Sequence, residues 1–523
     1  MVRELDTDVV VLGGGTGGFA AALAAARMGK NVVVVEETDW IGGQLTSQAV
    51  PADEHPWIEK FGCTLGYRRF RDGVRRCFRD HFPLRGETRV APMFQLGGAL
   101  VSRVPCPPEI AVKVLQQLLL PYRMNGRITV LLESKPVAAE VEGDRVSCVT
   151  VEERESGRRT VLTGSYFLDA TELGDVLPLS GTEYVTGAES REETGEPHAP
   201  PEADPLDMQA ITCCFAMDYF PGEDNTIQKP ESYEFWRDFK PDFWPDKLFS
   251  WNAPDPATPP KARPMSLFPE NGKFPLWTFR RLIRKEQFIP GTFESDITLV
   301  NWPQNDYFLG PIYEVDPKEA KDNLREAQQQ SLSFLYWLQT EAPRSDGGHG
   351  YPGLRLRRDL MGTEDGLAKY PYVRESRRIR AERTVVEQDI SPEVRPNGPV
   401  KFRDSVGVGA YRIDLHPSTG GRNYIDIPSH PFQIPLGSLI PVRMDNLLAA
   451  AKNIGTTHIT TGCYRLHPVE WNAGEAAGSL AAYCAHKGLL PRQVRNDPSH
   501  LDDFRRVLID QGFELDWPQI RPL

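Results

Sequence analysis

The sequence predicts an α/β fold in which a parallel sheet with a β-meander is interleaved with a mixed α+β cap domain. Three observations carry this prediction. A Val-rich run, Asp8–Leu12, is followed by glycines, an Ala-rich segment and a second Val-rich run. Three period-2 runs separated by turn residues follow a strand-like segment, Arg127–Leu132. Between residues 202 and 307 proline and aromatic residues crowd together without helical periodicity, which indicates a separate unit.

Length and charge exclude several classes of protein. The chain has 523 residues, too many for one ordinary core, and its net charge of −12 repels nucleic acid and anionic membranes. Its eight cysteines form no C-x-x-C pair, so we expect no metal site and a reduced, cytoplasmic chain. No long apolar run and no signal peptide are evident, so no membrane contact is expected. Oligomeric state is not predicted.

The first forty residues predict a strand, a turn, a helix and a second strand. Asp8–Leu12 suits a parallel strand buried on both faces, and Phe19–Met28 suits a helix that ends at Gly29. The second strand, Val32–Val35, ends at Glu36. The turn between strand and helix has the G-x-G-x-x-G spacing that binds a dinucleotide.

Each residue of this unit has a chemical task. Gly13 permits the tight turn, Gly15 lets the backbone approach a pyrophosphate, and Gly18 lets the helix pack closely on the strand. The helix N-terminus offers N–H groups and a positive dipole to the phosphates. Glu36 can accept hydrogen bonds from an adenosine ribose. The alternative is a glycine-rich turn in an unrelated α/β sheet.

A second glycine pair follows the acidic residue. Gly42 and Gly43 give the arrangement E-x(4,6)-G-G with Glu36. This arrangement resembles the two-dinucleotide-binding flavoproteins of the glutathione reductase type, in which the loop runs along the pyrophosphate towards the flavin. The resemblance implies FAD, since NAD-dependent dehydrogenases do not normally carry the loop. The alternative is a surface turn.

Two later segments agree with a flavin. Tyr166–Asp175 is similar to the D-A-T-G-x-G-D strand end that these flavoproteins place against the cofactor, with Glu172 in place of the usual glycine. The resemblance assigns adenine recognition to the backbone amide of Val137. Asn446–Gly455 predicts a final parallel strand and its turn, and Arg465–Gly478 predicts a helix whose N-terminus points at the flavin.

One departure from the superfamily concerns the end of this final strand. Ala451 and Lys452 stand where Gly-Asp or Gly-Glu is common, so the usual acidic contact to the ribityl chain is missing. Together with Arg374–Arg378 and Val300–Tyr307, the motifs resemble the broad FAD-dependent oxidoreductase family. The resemblance implies a Rossmann-like FAD-binding domain with a β-meander. Its cofactor-binding residues would be Gly13, Gly15, Thr16, Gly18, Glu36, Glu37, Gly42, Gly43, Gln44, Val137, Ala170, Thr171, Asp175, Asn453, Pro468 and Val469.

The predicted domains are discontinuous. The FAD-binding domain comprises residues 1–50, 108–185 and 435–490, the substrate or cap domain comprises 51–107 and 186–434, and the helical tail comprises 491–523. In the cap we expect a helix from Asp316 to Thr340 and Arg-rich strands at Leu354–Asp359 and Tyr372–Arg380. The tail from Pro498 to Trp517 predicts one terminal helix. The clustered aromatic residues either pack this irregular domain or expose faces on which a sugar could stack.

Only one G-x-G-x-x-G stands in a strand–turn–helix context, which leaves no second module for NAD(P)H. We therefore expect a small polar substrate, an alcohol, a carbohydrate-like alcohol or an amine, to reduce FAD by hydride transfer to N5. Oxygen or another acceptor would reoxidise the flavin. The alternatives are a flavin-dependent hydroxylase or monooxygenase, and a non-catalytic FAD-binding protein.

Three histidines are candidates for the catalytic base. His467 leads because it lies at the start of the flavin-facing helix and its side chain titrates near neutral pH. The alternative for His467 is a structural or flavin-contacting role. His458, in the spacer before that helix, and His55, in the segment after the second glycine pair, are the reserve candidates.

Overall fold

A seven-stranded sheet forms the centre of the nucleotide-binding half. The structure is a computed structural model that describes residues 3–518 and 520–523. The strands of this sheet are Arg3–Leu12, Val32–Val35, Ile128–Leu131, Ser134–Glu142, Arg145–Glu153, Arg159–Asp169 and Leu447–Ala449. Strands 128–131, 32–35, 3–12 and 159–169 lie parallel in that order, and 447–449 pairs in parallel with 159–169. Strands 134–142, 145–153 and 159–169 form the antiparallel meander. The predicted parallel strands and meander are confirmed.

Two helices pack against each other beside this sheet. Thr16–Arg27 follows the first strand, and His467–Lys487 lies along it. Their backbones approach closely because both helices present small residues: a Cβ on Gly474 would lie 2.0 Å from the carbonyl oxygen of Gly17. Both N-termini therefore stand at the same edge of the sheet, at the carboxyl ends of its parallel strands, where α/β folds bind ligands.

Smaller sheets make up the rest. Strands Arg281–Ile283, Ile297–Val300, Phe215–Tyr219 and Leu354–Leu356 form one sheet, and Asn252–Pro254, Ala262–Ser266 and Phe274–Pro275 form another. Four strand pairs complete the set: Asp306–Tyr307 with Ile211–Thr212, Arg378–Ile379 with Tyr184–Val185, Ser405–Gly409 with Phe432–Pro435, and Ile413–Leu415 with Ile425–Ile427. The cap therefore has the mixed character that the composition predicts.

The helices differ widely in length. The α-helices are Thr16–Arg27, Leu65–His81, Gly86–Val90, Pro108–Met124, Val176–Ser180, Arg191–Thr194, Tyr233–Asp238, Leu276–Phe279, Pro317–Thr340, Arg358–Met361, Glu387–Ile390, His458–Tyr464, His467–Lys487, Pro491–Asn496 and Pro498–Asp510. Short 3₁₀ turns lie at Gly43–Leu45, Lys285–Gln287, Pro303–Asn305 and Leu436–Leu439. Asp316 caps Pro317–Thr340 as predicted, since its side chain accepts a hydrogen bond from the Lys318 N–H. No helix in the part of the chain that the structure describes is long and apolar enough to cross a membrane.

Four element predictions need correction. The expected strand Leu354–Asp359 ends at Leu356, and a short helix, Arg358–Met361, follows it. The expected strand Tyr372–Arg380 shrinks to Arg378–Ile379, because the arginines around it bond to buried carboxylates and carbonyls. The spacer that holds His458 is a helix, capped by the Thr457 side chain. The terminal helix stops at Asp510, and a separate helix, Pro491–Asn496, precedes it.

Two hydrophobic clusters form the core. One contains the sheet and its helices; the other gathers residues between Ala210 and Val373, together with Tyr424. Most of the cap aromatics, such as Trp236 and Trp302, are buried in the second cluster and pack the domain, whereas Phe235 is 51% exposed. The apolar side chains of segment 51–107, which the sequence assigned to the cap, pack in the first cluster. The domain boundaries themselves stay a prediction.

Candidate functional site

The glycine turn is shaped by packing on one side and faces a cleft on the other. Gly13 has φ +99°, and a Cβ there would lie 2.1 Å from the Ala170 carbonyl oxygen. A Cβ on Gly18 would lie 1.8 Å from the Gly13 oxygen. Gly15 instead faces a side chain, with the Glu172 Oε1 atom 2.7 Å from a Cβ built there. Gly13 and Gly18 are therefore required by the turn and its packing. Gly15 lines the cleft and faces the Glu172 carboxylate.

The Glu36 carboxylate binds the turn itself. Its Oε2 accepts from the Gly14 N–H at 3.0 Å, and its Oε1 accepts from the Thr38 N–H at 2.9 Å and from the Thr38 hydroxyl at 2.8 Å. Burial raises the pKa of Glu36 to about 8, although the bonds from Thr38 oppose this. In the structure Glu36 therefore accepts hydrogen bonds from the protein backbone and from Thr38. The hydrogen bond from a ribose that the sequence predicts would be a further contact of the same carboxylate.

The second glycine pair lies against the first turn. The Thr16 hydroxyl donates to the Gly42 carbonyl at 2.8 Å, and the Gly42 N–H donates to the Gly14 carbonyl at 2.8 Å. Gly42 and Gly43 have φ +113° and +53°, a backbone that favours glycine. A Cβ on Gly43 would lie 2.8 Å from the Gly15 Cα. The two glycine backbones therefore face each other, and we call the space between Gly15 and Gly43 the glycine cradle.

The Glu172 carboxylate lies in the glycine cradle. Its Oε1 is the atom nearest to both glycines, and this buried oxygen has no hydrogen-bond partner among the described residues. Its Oε2 pairs with the Lys452 ammonium, which is 1% exposed. Burial lowers the pKa of Lys452, but the Glu172 and Glu470 carboxylates outweigh burial and raise it. Lys452 is therefore charged and bound to an anion.

A narrow cleft runs from the cradle along the end of strand 159–169. Its cavity is about 20 Å³, roughly the space of one water. It is lined by Gly13, Gly15, Val35, Glu36, Glu37, Ser47, Ser134, Lys135, Pro136, Ala170, Thr171, Glu172, Asp175 and Tyr370. Val137 follows the lining residue Pro136 and sits at a register shift between strands 134–142 and 145–153.

Strand 159–169 ends in carboxylates that burial makes less acidic. Asp169 Oδ1 accepts from the Thr171 N–H at 3.0 Å and hydroxyl at 2.7 Å, and burial raises the pKa of Asp169 to about 7. Burial also raises the pKa of Asp175, which bonds to Arg377 at 3.1 Å. Asn453 ties this strand to the final one, since its Nδ2 donates to the Asp169 carbonyl at 3.0 Å.

The start of helix 467–487 meets the second glycine loop. The fully buried Gln44 amide donates to the Glu470 carboxylate and, at 3.0 Å, to the Arg465 carbonyl. Gln44 Oε1 and Glu470 Oε1 are buried without a partner among the described residues. Pro468 and Val469 form the first helical turn and are buried, with Val469 packed on Gly409.

These observations test whether the residues fit a dinucleotide such as FAD. Two glycine backbones face a common space at the N-terminus of helix 16–27, the Lys452 ammonium pairs with the carboxylate that lies in it, and Glu172 Oε1 stands there without a partner among the described residues. Anion-binding sites are built in this way. The set therefore fits the pyrophosphate of a dinucleotide, and the Glu172 side chain lies where a phosphate would stand. The described residues form no His, Cys, Asp or Glu cluster suited to a metal ion.

His467 is enclosed by backbone. Its Nδ1 accepts from the Asp53 N–H at 3.1 Å, and its Nε2 lies 3.2 Å from the Val50 carbonyl, to which it donates. The side chain is 0% exposed, and burial lowers the pKa of His467 to about 4. Neither ring nitrogen is open to a substrate, so this geometry suits a structural role.

The reserve histidines lie apart from the cleft. The His458 Nδ1 lies 2.9 Å from Glu375 and its Nε2 accepts from Arg422 at 2.8 Å, so both nitrogens are engaged. His55 packs against Trp517 with ring centroids 5.2 Å apart, and its Nε2 bonds to the Gly62 carbonyl at 3.1 Å. Burial lowers the pKa of His55 to about 4.

A buried polar cluster lies on the cap side, and the sequence motifs contain only three of its residues, Asp306, Arg374 and Arg465. Its centre is Asp306, which is 0% exposed and accepts from Arg374 at 2.9 Å, from the Thr212 hydroxyl at 2.6 Å and from His416 Nδ1 at 2.6 Å. His416 Nε2 lies 3.6 Å from Asp414. Burial raises the pKa of Asp306, but Arg374 and His416 outweigh burial and lower it. We call Asp306, Arg374, His416, Asp414 and Arg465 the polar cluster.

Two contacts join the polar cluster to the second glycine loop. The Arg465 carbonyl accepts from Gln44, while the Arg465 guanidinium bonds to the Asp414 carbonyl at 3.0 Å. The side chains of His416 and Asp414 are 19% and 25% exposed, whereas Asp306 and Arg374 are buried. His416 and Asp414 therefore form the accessible face of the cluster.

Three known proteins are similar to this chain over a short stretch or at low identity. A urocanate reductase from Eggerthella lenta is 46% identical over 56 residues, which are 10% of this chain and 9% of that protein. A solved geranylgeranyl bacteriochlorophyll reductase-like protein from Thermoplasma acidophilum is 11% identical with a TM-score of 0.34, covering 98% of this chain and 85% of that one. L-proline dehydrogenase from P. horikoshii is 15% identical with a TM-score of 0.19, covering 36% and 24%.

The family comparison covers almost the entire chain. Residues 8–508 match the family described as FAD dependent oxidoreductase. That range contains the glycine turn, the glycine cradle, the meander and helix 467–487, and these elements fit the dinucleotide. The chain therefore belongs to the FAD-dependent oxidoreductase family, and its cofactor is FAD.

Proposed function

We propose that a small polar substrate reduces the FAD of this protein, which makes it a dehydrogenase or an oxidase. The observation that carries the proposal is the single dinucleotide turn, Gly13–Gly18, with no second G-x-G-x-x-G in a strand–turn–helix context. A pyridine-nucleotide-fed reductase or monooxygenase needs a site for its second nucleotide. With the one turn given to FAD, the substrate itself is the electron donor, and oxygen or another acceptor removes the electrons.

The polar cluster is the proposed substrate site. His416 and Asp414 are its accessible side chains, and Arg465 connects it to the loop of Gln44. A face of imidazole and carboxylate suits a hydroxyl or amine, which can donate and accept hydrogen bonds. The buried aromatic residues of the cap support no stacked sugar, so an alcohol or amine is proposed without the carbohydrate preference.

His416 is the proposed proton acceptor. Asp306 holds the Nδ1 proton of His416, which leaves Nε2 as the basic atom and stabilises the imidazolium that forms. FAD, when bound, supplies the hydride acceptor at N5. As the substrate C–H bond gives up its hydride, the hydroxyl or amine proton passes to Nε2 of His416. The substrate thereby loses two electrons and two protons, and forms a carbonyl or an imine.

The geometry favours His416 over His467, the candidate from the sequence. Both ring nitrogens of His467 bond to the backbone of residues 50–53. A base with a pKa of about 4 would also accept a proton poorly at neutral pH. We therefore propose that His467 anchors this segment on helix 467–487.

The test is anaerobic bleaching of the flavin absorbance in purified holoprotein. The panel contains sugars, polyols, 2-hydroxy acids, amino acids and primary amines, with NADH and NADPH beside them. We expect one alcohol or amine class to bleach the flavin, and neither pyridine nucleotide to do so rapidly. Stoichiometric bleaching by NADH or NADPH would overturn the proposal and favour the hydroxylase or monooxygenase alternative.

A second arm tests the opposite direction of electron flow. The short match to urocanate reductase makes urocanate the probe, added without oxygen to protein whose FAD has been reduced by dithionite. Under the proposal, the flavin stays reduced. Rapid reoxidation by urocanate would show instead that the protein is a reductase.

A further inference from the structure

The position of Glu172 has a consequence for FAD binding. Its carboxylate lies between Gly15 and Gly43, at the N-terminus of helix 16–27, and its second oxygen binds Lys452. A helix N-terminus lined by glycine backbones attracts an anion. Here a side chain of the protein supplies that anion. Superfamily members with glycine at position 172 have no side chain that could reach the cradle.

The FAD pyrophosphate needs the same place. Gly15 and Gly43 are the residues at which the backbone can come close to a phosphate, and Glu172 Oε1 would be 2.7 Å and 2.5 Å from a Cβ on these two residues. A phosphate oxygen and a carboxylate oxygen cannot both stand at van der Waals contact with these backbones. Like charges at that distance would also repel each other.

We infer that Glu172 and the FAD pyrophosphate compete for one anion position, which Gly15, Gly43 and the Lys452 ammonium form. When FAD binds, the Glu172 side chain leaves the cradle and Lys452 exchanges its carboxylate for a phosphate. Lys452 thus becomes a cofactor-binding residue at the position where the superfamily usually has an acid. The inference concerns FAD affinity alone and holds for either direction of electron flow.

Competition predicts a pattern that a purely structural ion pair would not produce. Glu172→Gln removes the competing charge while keeping the shape, so FAD should bind about 10-fold more tightly, the effect of one close charge pair in a partly buried site. In the wild-type background, Lys452→Met removes the ion pair with Glu172 from the FAD-free protein and the ion pair with phosphate from the FAD-bound protein. These two losses affect FAD affinity in opposite directions, so the dissociation constant should change little. In the Glu172→Gln background Lys452→Met should weaken FAD binding by about 10-fold.

The measurement is the FAD dissociation constant of full-length protein freed of flavin, from quenching of flavin fluorescence. Riboflavin, which lacks phosphate, is the ligand control, and its affinity should not respond to Glu172→Gln. Glu155→Gln is the matched protein control, because Glu155 is exposed and lies outside both the cleft and the glycine cradle. Circular dichroism and melting temperature establish that each variant is folded.

Three outcomes would overturn the inference. FAD affinity that falls in Glu172→Gln, in a folded protein, would make the ion pair structural. An equal gain in Glu155→Gln would reduce the effect to the overall charge of the protein. Additive effects of Glu172→Gln and Lys452→Met would show that the carboxylate and the phosphate do not share the ammonium.

Discussion

His416 and His467 differ in what the protein leaves free on the imidazole ring. The backbone of residues 50–53 occupies both nitrogens of His467. Asp306 occupies Nδ1 of His416, whereas Nε2 lies 3.6 Å from the Asp414 carboxylate, beyond hydrogen-bond distance, and the side chain is 19% exposed. A hydrogen bond that fixes one nitrogen and leaves the other open gives a base with a defined tautomer.

His416→Ala should therefore slow anaerobic flavin reduction by about 10²–10⁴-fold, the usual contribution of a positioned base. The FAD spectrum should persist, because His416 lies outside the cleft lining. Stopped-flow absorbance with the substrate from the panel measures the rate, and added imidazole should restore part of it. His467→Asn, the control, should reduce the melting temperature and leave the rate within a few-fold. A near-wild-type rate in His416→Ala would exclude it as the base.

The glycines of the first turn should respond differently to the same change. Gly15→Val should fold but fail to bind FAD, since the branched side chain enters the cradle and meets the movable end of Glu172. Gly18→Val should fail to fold, because its Cβ meets the Gly13 carbonyl at 1.8 Å, where no side chain can yield. Flavin content and circular dichroism of the purified variants distinguish the two. Full flavin occupancy in Gly15→Val would refute the cradle.

Sequence patterns predicted the cradle and missed the polar cluster for a physical reason. Gly13–Gly18 and Glu36 form a local unit whose spacing is set by one strand, one turn and one helix. The His416–Asp306 bond spans 110 residues and the Arg374–Asp306 bond spans 68. No helical or strand period relates such residues, and irregular cap segments bring them together. Only the tertiary fold identifies them.

At the scale of elements, a carboxylate fastens helix 65–81 to the loop before it. Glu59 receives hydrogen bonds from Arg71, at 2.7 and 2.9 Å, and from Arg75. Burial raises the pKa of Glu59, but the two guanidinium groups outweigh burial and lower it to about 2. The same loop contains Asp53, whose N–H donates to His467. The hydrogen bonds of Glu59 to helix 65–81 therefore also support the start of helix 467–487.

Glu59→Gln should lower the free energy of unfolding by about 1–3 kcal/mol at pH 7. A carboxyl group with a lowered folded pKa stabilises the fold above its unfolded pKa of 4.5, and this stability is lost as pH falls towards 2. The gap between wild type and variant should therefore narrow by about 1 kcal/mol at pH 4, as measured by urea unfolding. Glu109→Gln, which breaks an exposed pair with Lys113, should change stability by less than about 0.5 kcal/mol. If the difference in unfolding free energy between wild type and Glu59→Gln does not depend on pH, the lowered pKa of Glu59 is wrong.

For the whole molecule, composition predicted a separate cap, but it did not predict which segments pack in the hydrophobic core of that cap. Proline and aromatic residues marked residues 202–307, which supply much of the second hydrophobic cluster, although Leu282, Ile283 and Phe288 of this region join the first. Segment 51–107 shows no such shift, and its apolar residues join the first cluster because helix 65–81 packs against helices 108–124 and 467–487. Helical periodicity identifies the apolar face of a helix, but it does not predict which other elements pack against that face.

The order of strands in the large sheet also bears on how the chain folds during synthesis. Strand 159–169 pairs with strand 447–449, which is synthesised about 280 residues later. At elongation rates of about 5–20 residues per second this delay is roughly 15–55 s. During that interval residues 167–169 can pair with strand 3–12 on one side only, and helix 467–487 is not yet made. A nascent chain can therefore complete the meander early, yet it cannot capture FAD until almost all of the protein has been translated.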